Sequence, residues 1–146
     1  MKKTSIKLAL DATEKQRLRA HNYKIADIAG LATDELEVML GISQRRAGEL
    51  RALAEFQTIP TIGLEFAKDL VFLGLTSIND LKHTDGASLL DRFEAKKGFA
   101  TDPCVEDQFR LAVYYAHTHD ASKRWWDFTE ERKRYRREHG YPPTRP

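Results

Sequence analysis

An all-α fold of five to eight helices is predicted for this 146-residue chain by three observations. Apolar residues recur at helical spacing, strand-type alternation is almost absent, and capping residues with glycine or proline breaks punctuate the apolar runs. Asp11-Ala12-Thr13-Glu14 has the form of a capping box and opens a short basic helix through Arg19. Thr33 supplies a cap for a helix over residues 36–40, with Asp34 and Glu35 set favourably against its dipole. Gly41-Ile42-Ser43 interrupts and re-caps, and the next helix runs to Phe56 with Ala47, Leu50, Leu53 and Ala54 on one face. After Thr58-Ile59-Pro60-Thr61-Ile62-Gly63, helical spacing resumes through Phe66, Ala67, Leu70, Val71 and Leu73 and stops at Gly74. Ser77 and Asp80 cap a single turn, and Asp85-Gly86 precedes a helix ending near Gly98. Asp102-Pro103 starts a helix that is apolar on two faces, Val105, Phe109, Ala112, Val113 and Ala116 on one and Leu111, Tyr114 and Tyr115 on the other. Such a helix is central to a core. Ser122 caps a last helix carrying Trp125, Trp126, Phe128 and a basic run, and the residues after Tyr141-Pro142-Pro143 are expected to fray.

An internal echo accompanies this order. Ile25-Ala26-Asp27-Ile28 with Leu36 matches Ile78-Asn79-Asp80-Leu81 with Leu89 at a constant offset, as two degenerate copies of one helical unit would.

Composition narrows the function classes. With 24 Lys+Arg against 22 Asp+Glu the net charge is +2, so the chain is no general polycation. No apolar run approaches the roughly 18 residues of a membrane span, and no secretory h-region follows Met1-Lys2-Lys3. The single cysteine, Cys104, excludes an internal disulfide and every multi-cysteine zinc motif. A cytoplasmic protein without cofactor or structural metal is expected.

The segment Ile59-Pro60-Thr61-Ile62-Gly63-Leu64-Glu65-Phe66-Ala67 resembles the helix-hairpin-helix motif, in which a Pro-Gly-hydrophobic-Gly hairpin leads into a helix with an early alanine. Met39-Leu40-Gly41-Ile42-Ser43 with Arg46-Ala47 is similar to a weaker second copy, so the predicted fold is of the SAM-like kind with tandem hairpin units. A hairpin glycine lets a phosphate approach the main chain, and the amides opening the next helix face the anion with the positive end of the dipole behind them. Two departures stand out: Thr61 replaces the first glycine, and the Glu65 carboxylate would repel a phosphate. In the motif the hairpin carbonyls also hold a monovalent cation, by position here Gln57, Ile59 and Ile62.

Asp102-Pro103-Cys104-Val105-Glu106-Asp107-Gln108-Phe109-Arg110-Leu111-Ala112-Val113-Tyr114-Tyr115-Ala116, followed by Lys123-Arg124-Trp125-Trp126-Asp127-Phe128, is similar to the pathogenicity-locus family of small bacterial proteins, some of them named for mitomycin resistance. The resemblance extends from Glu55 to Phe128. It implies an all-helical fold and association with DNA, and it supplies no reaction.

Catalytic signals are weak. Cys104 at a helix start gains part of the pKa lowering a nucleophile needs, but His117 lies about 20 Å away along the same helix at 1.5 Å per residue. His117 and His119, two residues apart, do not share a helix face and make no metal site. Trp125 and Trp126 offer aromatic faces for stacking a base or another planar ligand. Positive charge is local. Residues 1–56 hold ten basic and eight acidic side chains, residues 57–103 five and seven, and residues 104–146 nine and seven. These segments frame an N-terminal region (1–56), a hairpin unit with the C-terminal helices (57–128) and a basic tail (129–146). Within the tail, Arg132-Lys133-Arg134-Tyr135-Arg136-Arg137 forms a basic knob, and Lys15, Arg17 and Arg19 form a second patch.

The expected function is a non-catalytic accessory protein that binds double- or single-stranded DNA through phosphate contacts, without reading sequence. The contacts fall to Gly63, Leu64, Glu65 and Lys68, to Gly41, Ser43, Arg45 and Arg46, and to Arg132, Lys133, Arg134, Arg136 and Arg137. The alternative is a protein-interaction or self-association module, favoured by the acidic middle segment.

Overall fold

The computed structural model describes residues 5–146. Among these residues seven α-helices and three 3₁₀ segments are present and no strand. They form two units that part after Ser77. The joints read from sequence, 56/57 and 128/129, lie inside those units.

The first unit contains α1 (Ala12–Ala20), a 3₁₀ segment (Ile25–Gly30), α2 (Thr33–Leu40), α3 (Gln44–Phe56) and α4 (Leu64–Phe72). The capping box at α1 is formed in full: the Asp11 carboxylate accepts from Glu14 N at 2.7 Å, and Glu14 Oε1 accepts from Asp11 N at 3.0 Å. Helix α1 then ends in a Schellman turn, with Asn22 left-handed at φ 62°, Asn22 N donating to Arg19 O and Tyr23 N donating to Leu18 O. Ala32, not Thr33, precedes α2, so that start has no side-chain cap. Helix α3 packs against the 3₁₀ segment, α2 and α4. Leu8, Leu10, Leu18, Ile28, Leu36, Leu40, Ala47 and Leu50 share one core.

The second unit contains a 3₁₀ segment (Ile78–His83), α5 (Gly86–Lys97), α6 (Cys104–Thr118), a third 3₁₀ segment (Trp125–Phe128) and α7 (Thr129–His139). Helix α6 packs against every other element of this unit, as its two apolar faces require. Phe109 is buried and meets Phe93 of α5 edge to face, centroids 5.7 Å apart. At Gly86 the two helices come so close that an added Cβ would lie 2.9 Å from the Arg110 backbone. Gly86→Ala is therefore expected to destabilise this unit by about 1–3 kcal/mol in urea unfolding, an overpacking cost.

The echo has a structural counterpart. Both copies fold as 3₁₀ segments, and the helices that follow them begin at Thr33 and Gly86, at the same offset. A third member, Trp125-Trp126-Asp127-Phe128, emerges only in three dimensions. Asp27 Oδ2 accepts from Lys24 N at 2.7 Å, and Asp127 Oδ2 accepts from Arg124 N at 2.8 Å. That local bond corrects the expected last helix. The tryptophans sit in a separate turn, α7 begins at Thr129, and Ser122 stands at no helix start but in the turn after α6, where its N–H donates to Asp120.

The expected fraying of the C-terminal segment is also corrected. Arg145 reaches the buried Glu94 carboxylate with Nε–Oε1 2.8 Å and a terminal nitrogen 3.2 Å from Oε2. Its guanidinium lies over the Tyr141 ring at 3.7 Å. Burial raises the Glu94 pKa, but Arg145 and the N–H and hydroxyl of Thr101 outweigh it and hold the carboxyl below its ordinary value. A lowered folded-state pKa means stability that is present above the unfolded carboxylate range and lost as pH falls through the lowered value. Arg145→Ala strands a buried carboxylate, so we expect a loss of about 3 kcal/mol at pH 7 that narrows towards pH 4, measured by urea unfolding at each pH.

Candidate nucleic-acid interface

The hairpin between α3 and α4 is built on two buried isoleucines. Ile59 and Ile62 are fully enclosed, and Ile62 N donates to Ile59 O at 3.1 Å. Between them Thr61 adopts φ 63°, the left-handed region at the position where the resembling motif has glycine. A β-branched residue is strained there by about 1–2 kcal/mol, whereas glycine enters freely but gains unfolded-chain entropy. Thr61→Gly is expected to stabilise the first unit by about 0.5–1 kcal/mol, read from the unfolding midpoint.

Gly63 follows in extended geometry and is the N-cap of α4, with no side chain to cap the helix amides. An added Cβ there meets nothing within 4 Å, so the backbone is open to approach. Leu64 is half-buried, Glu65 is exposed, and Lys68 donates to Glu65 at 3.3 Å, which sets opposite charges side by side at the hairpin.

The weaker hairpin is closed by its own chain. Gly41 is left-handed at φ 64° and its N–H is spent on Glu37 O, ending α2. The Arg17 guanidinium fills the space before it and donates to Leu40 O at 2.7 Å. Ser43 caps α3 by accepting from Arg46 N. Arg46 turns inward to Glu14, at 3.0 and 3.2 Å, and to Ala9 O, while Arg45 points to solvent beside Glu49. Arg46 holds the Glu14 carboxyl below its usual range against the opposing effect of burial.

Two of the three positions implied for a cation have hydrogen-bond partners in the structure. Ile59 O accepts from Ile62 N, and the side-chain amide of the buried Gln57, not its backbone carbonyl, binds both the N–H and the carbonyl of Lys7. Among the described residues no group of three His, Cys, Asp or Glu side chains is placed to hold a metal ion.

In the second unit the basic run divides. Arg132 Nε lies 2.7 Å from the buried Asp107, which also accepts from the Thr129 hydroxyl. Arg136, only 7% exposed at its side chain, binds Glu106 at 2.8 Å and Asp91 at 2.9 Å. Arg110 approaches the same Glu106 at 2.8 Å. Lys133, Arg134 and Arg137 remain exposed, Lys133 within 3.8 Å of Glu130. The buried carboxylates were not singled out by sequence reasoning. Their one signal is the placement of Glu106 and Asp107 on a helix otherwise apolar on both sides, with Arg110 at i+4 from Glu106.

Trp125 is half-buried and Trp126 is 54% exposed, their rings edge to face at 5.3 Å. Cys104 is poorly suited to nucleophilic chemistry, because burial and its hydrogen bond to Asp102 push the thiol up to about 11. Asp120 is held down at about 2 by Ser122 and by the Tyr114 hydroxyl, closing the turn after α6. No helix among the described residues is long and apolar enough to cross a membrane.

Residues 49–134, which include the open hairpin, α6 and the Trp turn, match the pathogenicity-locus family. The chain belongs to that family. This pathogenicity-locus protein is also 33% identical over 81 residues to the mitomycin resistance protein McrB of Streptomyces lavendulae, a match covering 56% of this chain and 76% of that protein. No solved structure matches the chain. Within this pathogenicity-locus protein the family match spans most of α3, the five elements from α4 to the Trp turn and the first half of α7, and it leaves α1, α2 and Arg145 outside.

Proposed function

We propose that this protein is a non-catalytic accessory factor that binds the nucleic-acid backbone without reading sequence, through helix-hairpin-helix geometry. The observation that carries the reading is the Pro60–Gly63 hairpin. Its left-handed Thr61 and uncapped, unobstructed Gly63 bring the first amides of α4 to the surface, an arrangement suited to a phosphate oxygen. The exposed cations Lys133, Arg134 and Arg137 of the second unit, with Arg45 of the first, add the charge that phosphate contact requires.

The test is a salt titration of binding to a fluorescent 20-base-pair duplex and to the matching single strand. Affinity that falls linearly in log salt and is indifferent to sequence supports the reading. No binding to either form at low salt removes it.

One observation favours a protein partner instead. A groove of about 350 Å³ runs between α3 and the end of α4 over Gly48, Ala52, Val71 and Leu75, and Arg45 at its rim is paired with Glu49. In this second reading the hairpins pack or bind another chain, and affinity for nucleic acid is absent at any salt.

A further inference from the structure

The Schellman turn that ends α1 carries a hollow with a chemistry of its own. It holds about 220 Å³ and is lined by Lys15, Leu18, Arg19, Tyr23, Lys24 and Ile25. Leu18 and Ile25 give it an apolar floor, and the Tyr23 ring stands at its side, 36% exposed. Three cations surround it. Among the described residues none of Lys15, Arg19 and Lys24 makes an ion pair or a side-chain hydrogen bond. That contrasts with Arg46, Arg132, Arg136 and Arg145, each committed to a carboxylate. The acids nearest in sequence are both engaged elsewhere, Glu14 with Arg46 and the Asp11 amide and Asp27 with the Lys24 amide.

The same local turn recurs at the end of α4, where Gly74 is left-handed and Leu75 N donates to Leu70 O. Leu75 there takes the place of Tyr23, and it is buried. The turn therefore does not need an exposed aromatic ring for its own geometry.

We propose that this hollow binds one unpaired nucleotide, its base stacked on Tyr23 and its phosphates held by Lys15, Arg19 and Lys24. The volume falls below the roughly 300–1,000 Å³ of sites that engulf a whole drug-sized ligand, which suits a single base and excludes a dinucleotide. Aromatic stacking accepts any base, and the cations supply the backbone attraction. The proposal rests on the nucleic-acid reading for its ligand class but uses a different surface, separate in sequence from the hairpin and from α7.

The experiment uses the full chain and fluorescent decamers of deoxythymidine, with and without their bases. The decamer with bases is expected to bind at least 10-fold more tightly than the abasic one. Tyr23→Leu, which keeps the apolar contact of the turn, should remove that difference while leaving abasic binding unchanged, and Tyr23→Trp should restore it. Lys15→Glu with Arg19→Glu should weaken both decamers. Thymidine monophosphate as competitor separates the sources: displacement at concentrations close to those of unlabelled decamer identifies a free nucleotide, and displacement only at concentrations 100-fold or more higher identifies a strand. Equal affinity for the two decamers, no binding of either, or a Tyr23→Leu loss shared by both overturns the proposal. Duplex binding that survives Tyr23→Leu leaves the hairpin reading standing whichever way the pocket falls.

Discussion

Arg136→Ala is expected to lower the unfolding free energy by about 3–5 kcal/mol, a large share of the total stability of a small protein. Its guanidinium joins α7 to two other helices of its unit, through Glu106 of α6 and through Asp91 and the Ala87 carbonyl of α5. It is further held between the Tyr141 ring at 4.1 Å and the Gly140 carbonyl. Glu106 is wholly buried, so removing Arg136 leaves a charge that water cannot reach answered by Arg110 alone. Adding Glu106→Gln to the variant should recover part of the loss, because the amide carries no charge. Arg134→Ala, two residues away and exposed, should change stability by less than about 0.5 kcal/mol. Urea unfolding of the four proteins separates these outcomes. Equal effects at 134 and 136 would contradict the division of the basic run described above.

The second large effect concerns binding. Reversing Arg134 and Arg137 together should cut duplex affinity by about 100-fold at 0.1 M salt and reduce the log–log salt slope by about 2, if each contacts one phosphate. Both side chains are exposed, so the unfolding curve should stay in place. Anisotropy titrations at four salt concentrations give affinity and slope together. A duplex affinity indifferent to the double reversal would move the interface away from α7.

Local signals were legible in the sequence wherever a side chain closes a bond with its near neighbours. Asp11 with Glu14 and Ser43 cap as their spacing suggests, and Gly98 ends α5 in the left-handed conformation. The echo between Ile25 and Ile78 also survives into the structure as matching turns. What spacing does not convey is which of several like charges turns inward. Arg132 and Arg136 lie on one stripe of α7, but the carboxylates that select that stripe sit 25 and 30 residues upstream on α6. The Trp turn was hidden for a different reason. A helical pattern continues through Trp125 and Phe128, and only the bond from Arg124 N to Asp127 breaks it off. At the hairpin the open face was partly legible. The glycine pattern marked Gly63, whereas the filling of the Gly41 site by Arg17 depends on a contact across 23 residues.

The clamp of Arg145 on Glu94 bears on how the chain folds while it is being made. Residues 5–77 contain the partners of their own buried polar groups, Glu14 with Arg46 and Gln57 with Lys7, and can settle as soon as they emerge from the ribosome. The second unit has no such freedom. Glu94 must wait for an arginine 51 positions later, and Asp107 for one 25 positions later, before its charge is answered. During that interval α5 and α6 carry carboxylates too costly to bury, which holds this half of the chain loose until translation has passed residue 145.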